Sequence, residues 1–216
     1  MTTQHRQSVI NHFNTQKDQL VEMYDKIDRS HVVEPILPFM QADNKPDGNP
    51  LLCLDIGAGG GHDAHFFATT FNMKVLAIDP SADLLQTGID QFPHPNIDWR
   101  VDHLPQLMEC DDHEGKADFI LLSAVWQYLA PDERTGALKR LHDLLKPGGH
   151  MLILYPTPPS RELQQSISEQ TFKDELKSCP GLKIVHEQIH PDFRKRKALN
   201  GDDLYFMNFV MQKMTP

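Results

Sequence analysis

The chain has 216 residues, 39% apolar and 24% charged, which suits one soluble domain or one domain with an added terminal segment. A net charge of −9 disfavours nonspecific binding to phosphate backbones or anionic membranes, while leaving room for a local basic patch. No apolar run approaches the ~18 residues of a membrane helix, and the opening MTTQHRQSVINHF lacks the basic-then-apolar pattern of a secretory signal.

Residues 1 to 45 are expected to form an N-terminal helical lid or brace, and residues 46 to 216 the main domain. Leu20, Tyr24 and Ile27 make one apolar helix stripe, and Pro35 and Pro38 are expected to end the helical region. The turn-rich stretch QADNKPDGNP, 41 to 50, leads into a first strand over Leu51 to Ile56, an apolar run suited to burial on both faces. Gly57, Gly59, Gly60 and Gly61 follow at once, and then a helix over His62 to Thr70. Strand, glycine turn and helix bring a ligand against bare backbone and the unpaired N–H groups of a helix start. From Asp55 the string reads D-x-G-x-G-x-G; from Gly59 to Ala64 it also reads G-x-G-x-x-A, a permitted dinucleotide fingerprint. Such a motif also occurs in loops without a ligand, so its neighbours have to decide.

A second strand over Lys74 to Ile78 ends at Asp79, and Ser81 is a suitable N-cap for the next helix. A third strand is expected over Ile97 to Val101, before Asp102, and a fourth over Asp118 to Ser123. Pro131 to Leu145 is an amphipathic helix stopped by LKPGG, and a fifth strand follows over His150 to Tyr155. Alternating strands and helices mean an α/β fold with a parallel sheet covered on both faces. Ser160 to Cys179 is expected to be mostly helical. Leu182 to Ile189 and Leu204 to Lys213 read as two strands without a helix between them, which must pair antiparallel.

In an open parallel sheet, ligands bind at the carboxyl ends of the strands, where Asp55, Asp79 and Asp102 recur at near-regular intervals. A carboxylate after the second strand can accept both hydroxyls of a ribose, and one after the third can receive the amino group of adenine. The twelve histidines are scattered without a metal-binding spacing, and Cys53, Cys110 and Cys179 form no C-x-x-C pair, as expected of a reducing cytoplasm.

LDIGAGGGHD, AIDPS, WRVDHLP, ADFILLSAVWQYL and LLKPGGHMLILY together resemble the class I S-adenosylmethionine-dependent methyltransferases, from about Tyr24 to Lys213. Within them, SAVWQYL and PDERTGALKRLHDLLKPGG are similar to a bacterial small-molecule-type group of unassigned substrate. The resemblance implies a Rossmann-like, seven-stranded sheet in the order 3-2-1-4-5-7-6 with strand 7 antiparallel. It also favours S-adenosyl-L-methionine, with S-adenosyl-L-homocysteine as product, over a nicotinamide dinucleotide.

On this resemblance Gly57, Ala58 and Gly59 pack against the cofactor, with Asp55 supporting the loop or contacting its amino acid end. Asp79 and Pro80 take the ribose, Asp102 with His103 or Leu104 takes the adenine, and Ser123 and Ala124 face the sulfur. Tyr24 and His31 lie over the cofactor, with His31 also at the acceptor. Trp126, Tyr128 and Tyr155 are the further acceptor-side candidates, although an aromatic after a core strand serves packing as often. No residue carries a general-base signature; His103, Tyr155, His31 and Tyr24 are the candidates. No metal is implied.

SAVW stands where an NPPY-type tetrapeptide would mark amino methylation of bases or glutamine amides. The basic run RKRK, Arg194 to Lys197, is flanked by Asp192, Asp202 and Asp203 and is expected to be a solvated loop. The expected function is therefore methyl transfer to oxygen or nitrogen of a small molecule, without nucleic acid or membrane as partner. An RNA methyltransferase and a non-catalytic cofactor-binding regulator are the alternatives.

Overall fold

The structure, a computed structural model, describes residues 3–40, 48–192 and 194–215. The strands are β1 (Leu52–Ile56), β2 (Lys74–Asp79), β3 (Ile97–Val101), β4 (Ala117–Ser123), β5 (Leu145–Thr157), β6 (Leu182–Pro191) and β7 (Tyr205–Lys213). The α-helices are α1 (Thr3–Thr15), α2 (Lys17–Asp25), α3 (Ser30–Val33), α4 (Leu37–Met40), α5 (His62–Thr70), α6 (Ala82–Gln91), α7 (Pro131–Leu144) and α8 (Glu169–Leu176). The strands form one sheet in the order β3-β2-β1-β4-β5-β7-β6. The first five pair in parallel, and β7 runs antiparallel to both β5 and β6. This is the class I methyltransferase arrangement that the motifs implied.

Strict alternation along the central strands divides the core in two. Cys53, Val75, Phe119, Leu121, Leu152 and Leu154 face a layer that includes α5 and the apolar residues Val33, Ile36 and Met40. Leu54, Ile120, Leu122, Met151 and Ile153 face the opposite layer, with α7 and α8. The expected cap is present: the Ser81 hydroxyl accepts the Leu84 N–H at 3.0 Å and starts α6. Among the described residues no helix is long and apolar enough to cross a membrane.

Three local expectations are corrected. Pro35 and Pro38 do not end the N-terminal helical region; Pro35 sits in a 3₁₀ turn (Glu34–Ile36) and Pro38 in the first turn of α4. A first-turn proline lacks only an N–H that has no partner within its helix. Ser160 to Cys179 is helical only over α8. Before it, Gln164 Oε1 accepts the N–H groups of Ser160 and Arg161, and the Gln165 N–H donates to Gln127 O, so the backbone finds partners outside a helix. The LKPGG stretch begins β5 instead of preceding it: Leu145 pairs with Ala117 and His150 with Phe119, and the residues between them bulge. Most of the turn-rich 41–50 stretch, with the boundary set inside it, lies outside the described residues.

Candidate active site

A cavity of about 440 Å³ opens where β1, β2, β3 and β4 end, the position favoured for ligands in an open α/β sheet. The turn after β1 is tied down by the N–H groups of Gly57 and Ala58, which both donate to Ile78 O at 2.7 and 2.9 Å. Gly57 has φ +77°, and a Cβ there would run into the Val125 side chain. Gly59 has φ +55° and open space where a Cβ would stand, so its bare backbone faces the cavity.

Asp79 joins this turn to α6. Its Oδ2 accepts the Gly59 N–H at 2.9 Å and its Oδ1 accepts the Ser81 N–H at 2.8 Å. A carboxylate oxygen has a second acceptor site, so the group can still receive two donors from the cavity side. Burial pushes the carboxyl up to about 6 against the lowering effect of both bonds. Asp55 lies beneath the turn, 1% exposed and away from the cavity lining. Its Oδ2 has no hydrogen-bond partner. Burial above all, then the charges of Asp63 and Asp79, hold its carboxyl well above the usual range.

Pro80 and Leu104 line the same side, as do Asp102 and His103. The Asp102 carboxylate is oriented by the N–H groups of His103 and Glu109, each at 2.7 Å. His103 Nε2 lies 3.2 Å from Arg6 Nη1, and Nδ1 lies 3.1 Å from Leu104 O. A guanidinium only donates, so Nε2 accepts and the ring proton sits on Nδ1. At the end of β4, Ser123 and Ala124 reach the cavity. Ala124 has φ +59°, uncommon for a residue with a Cβ, and is held by its N–H to Leu154 O and by Gln127 Nε2 on its carbonyl.

The N-terminal helices cover the opening. Val9, Ile10 and Phe13 of α1 line it, Asn14 bonds the Ser81 hydroxyl, and Arg6 reaches Glu133. Tyr24 lines the cavity with the Arg29 guanidinium 5.6 Å from its ring centre, and burial raises its phenol. Arg29 in turn bonds Asp63 and the Tyr24 carbonyl. His31 stands at the rim with an exposed ring.

Three aromatics proposed for the acceptor separate. Tyr128 lines the cavity, its hydroxyl accepting from Gln164 Nε2 at 3.1 Å and its ring edge-on to Phe13. Trp126 does not reach it: the indole is fully buried, donates to Glu175 Oε2 and packs edge-on against Phe172. Tyr155 does not reach it either. Alternation along β5 turns Leu154 to the cavity and Tyr155 into the opposite core, against Phe172 and Phe209.

The lining also includes residues that the motifs did not indicate: Arg6, Arg29 and Asp63, Phe206 and Asn208 of β7, and Asp192 and Arg194 after β6. Only the last had a signal, the RKRK run. Arg196 forms a bidentate pair with Asp192 and Lys197 pairs with Asp203; Arg194, Lys195 and Lys197 are exposed, as expected of a solvated loop, and Arg194 also borders the cavity. Among the described residues no three metal-ligating side chains gather, and the three cysteines are free and buried.

A family model described as a methyltransferase domain matches residues 24–201. An uncharacterized protein of Rickettsia prowazekii is 29% identical over 128 residues, 58% of this chain and 51% of that protein. The ubiquinone/menaquinone biosynthesis C-methyltransferase of Rubrivivax gelatinosus is 30% identical over 102 residues, 47% of this chain and 38% of that enzyme. The chain thus matches about half or less of the length of these relatives. Among solved structures, Burkholderia thailandensis 1,6-didemethyltoxoflavin-N1-methyltransferase, with bound 1,6-didemethyltoxoflavin and S-adenosylhomocysteine, superposes with a TM-score of 0.61 at 18% identity. That match covers 100% of this chain and 92% of the other. The sheet order, the glycine turn and the matched span agree: the chain belongs to the methyltransferase domain family.

Proposed function

We propose that the protein is an S-adenosylmethionine-dependent methyltransferase acting on oxygen or nitrogen of a small molecule by direct in-line displacement. The observation that carries this is the pairing of Gly59, open to the cavity, with Asp79, whose carboxylate holds that turn and retains acceptor sites toward the opening. The residues fit such a cofactor: Asp79 can take the two ribose hydroxyls, Asp102 the adenine amino group, and Gly57, Ala58 and Gly59 the close approach of the ribose and methionine.

Bound there, S-adenosylmethionine supplies a methyl group already activated on a sulfonium. The work left to the chain is positioning the acceptor and excluding water. Ser123, Ala124 and Tyr128 border the space for the acceptor, and α1 to α3 act as a lid over it. If a proton must leave the acceptor, His31 remains as a base at the cavity rim, whereas burial keeps the Tyr24 phenol protonated. Nε2 of His103 is engaged by Arg6, and Tyr155 is in the core.

The pairing of Arg196 and Lys197 with aspartates weighs against an RNA acceptor held by the RKRK run. Titration calorimetry with S-adenosylmethionine, S-adenosylhomocysteine and NADH tests the cofactor. Micromolar binding of the first two alone, on the order of −8 kcal/mol, is expected; binding of NADH, or of none, refutes the proposal. Acceptor-dependent formation of S-adenosylhomocysteine separates an enzyme from a regulator that only binds the cofactor.

A further inference from the structure

The cavity is not evenly charged. Asp79 and Asp102 stand at the β2 and β3 ends, while the β6–β7 side contributes His190, Arg194, Phe206 and Asn208. The basic side chains elsewhere in the lining have acidic partners: Arg6 pairs with Glu133, Lys26 with Glu22 and Arg29 with Asp63. Arg194 is different. The nearest carboxylate oxygen, Asp192 Oδ1, is 3.9 Å from its Nε, and that carboxylate already accepts three bonds from the side chain and backbone of Arg196.

A second cation stands close by. Arg161 lies beside the cavity rather than in its lining; it acts electrostatically on Tyr24, Tyr128 and Arg194, its Nη2 lies 3.5 Å from Met23 Sδ, and among the described residues no carboxylate pairs with it. Burial, with the like charges of Arg196 and Arg161, pushes the Arg194 guanidinium down. Arg194 thus shares a single, distant and already engaged carboxylate while like charges act on it, an arrangement that an anion placed beside it would relieve. Asn208 adds a separate signal. It is 3% exposed, lines the same side, and its carboxamide oxygen has no partner. Because the two ends of a carboxamide are interchangeable by rotation, it can offer either a donor or an acceptor to an occupant. The cavity lining also includes the apolar side chains of Val9, Ile10, Phe13, Leu129 and Phe206.

We propose that the methyl acceptor is a small amphiphilic acid, its carboxylate or phosphate held by Arg194 and Arg161 with Asn208 beside it, and its apolar body against α1 and Phe206. The guanidinium fork matches either oxyanion through paired N–H···O bonds, which a single point charge does not. This rests on the methyltransferase proposal for naming the occupant an acceptor, but the anion site itself stands on the arginines alone. Enclosure by α1 favours a small molecule over the extended backbone of a nucleic acid.

The test is calorimetry on the full chain loaded with S-adenosylhomocysteine, using benzoate, phenyl phosphate, the neutral analogue benzyl alcohol and bulk tRNA as probes. Benzoate or phenyl phosphate is expected to bind about tenfold or more tightly than benzyl alcohol, the better of the two identifying the head group. Arg194→Gln and Arg161→Gln are each expected to weaken the anion about tenfold and to remove most of its advantage over benzyl alcohol when combined. Retained S-adenosylhomocysteine affinity in these variants confirms that they fold. Equal binding of the neutral probe, unchanged affinity in the double variant, or no anion binding up to ~10 mM overturns the inference. So does tRNA binding that depends on Arg194 while the small anions do not compete. If S-adenosylhomocysteine itself fails to bind the wild type, the methyltransferase proposal falls, and the same anion titrations on the unloaded protein, with melting temperature as the folding control, still decide the arginine site.

Discussion

The two ends of the cavity were built in different ways. At the β1–β2–β3 end each functional group follows its strand directly, and short-range geometry fixes it: Gly59 and Ser81 hold Asp79, and the His103 amide holds Asp102. At the β6–β7 end the groups come from chain segments far apart, Arg161 before α8, Arg194 after β6 and Asn208 within β7. The first end is a local motif repeated along a parallel sheet. The second exists only because β7 inserts antiparallel between β5 and β6. On the proposed function, one end suits the cofactor and the other is free to vary with the acceptor.

Substitutions can break or sharpen this contrast. The largest expected effect is Asp79→Ala, which removes the proposed ribose acceptor and also frees the Gly59 and Ser81 amides. A loss of about 3 kcal/mol, roughly a hundredfold in S-adenosylhomocysteine affinity, is expected by calorimetry; an unchanged Kd removes Asp79 from the site. Gly57→Ala is expected to cost about 2 kcal/mol of stability in denaturant unfolding, because its Cβ meets Val125 at positive φ. Gly59→Val has open space beside it but puts a β-branched residue at φ +55°, so it is expected to cost about 1–2 kcal/mol of stability, still fold, and lose the cofactor.

The raised Asp79 carboxyl has a pH signature. With a folded pKa of about 6 against an ordinary 3.8, its contribution to stability is fully present below about 3.8 and is lost as pH rises through about 6. Asp79→Asn is expected to remove that part of the decline in cofactor-free melting temperature between these values. Hydroxyl donors favour the ionised group, so wild-type affinity for S-adenosylhomocysteine is expected to rise across the same window. A flat affinity profile would separate the carboxyl from the ligand.

At the other end the effects are smaller. Asn208→Leu replaces a buried amide with an unpartnered oxygen, and is expected to raise cofactor-free stability by up to about 1 kcal/mol while weakening benzoate or phenyl phosphate. A loss of stability would mean that the amide serves the fold. Ala124→Gly relieves a positive φ and is expected to gain about 0.5 kcal/mol in unfolding free energy.

Much of the first end was legible in the sequence. The apolar runs of β1, β2 and β4, the glycine turn and the acids after each strand are local patterns, and Gly57, Gly59, Asp79, Asp102 and Ser123 all line the cavity. Local patterns were less informative where a residue's surroundings come from elsewhere. Trp126 and Tyr155 follow or lie on core strands beside cavity residues, and only the facing direction, set by the turn after β4 and the alternation of β5, sends them into the core. The stretch before α8 has helical composition, but Gln127 and Gln164 satisfy its backbone instead.

By itself the sequence determined the strand and helix order, the class of sheet and the acidic half of the cavity, because these depend on periodicity and on residues adjacent in the chain. The tertiary structure alone decided which residues of the expected N-terminal lid reach the cavity, the Arg29–Asp63 pair and the basic half of the cavity. Arg194 shows the physical reason. In sequence it is one of four consecutive basic residues, but in the fold Asp192 takes Arg196 and Asp203 takes Lys197, leaving the Arg194 guanidinium facing the cavity.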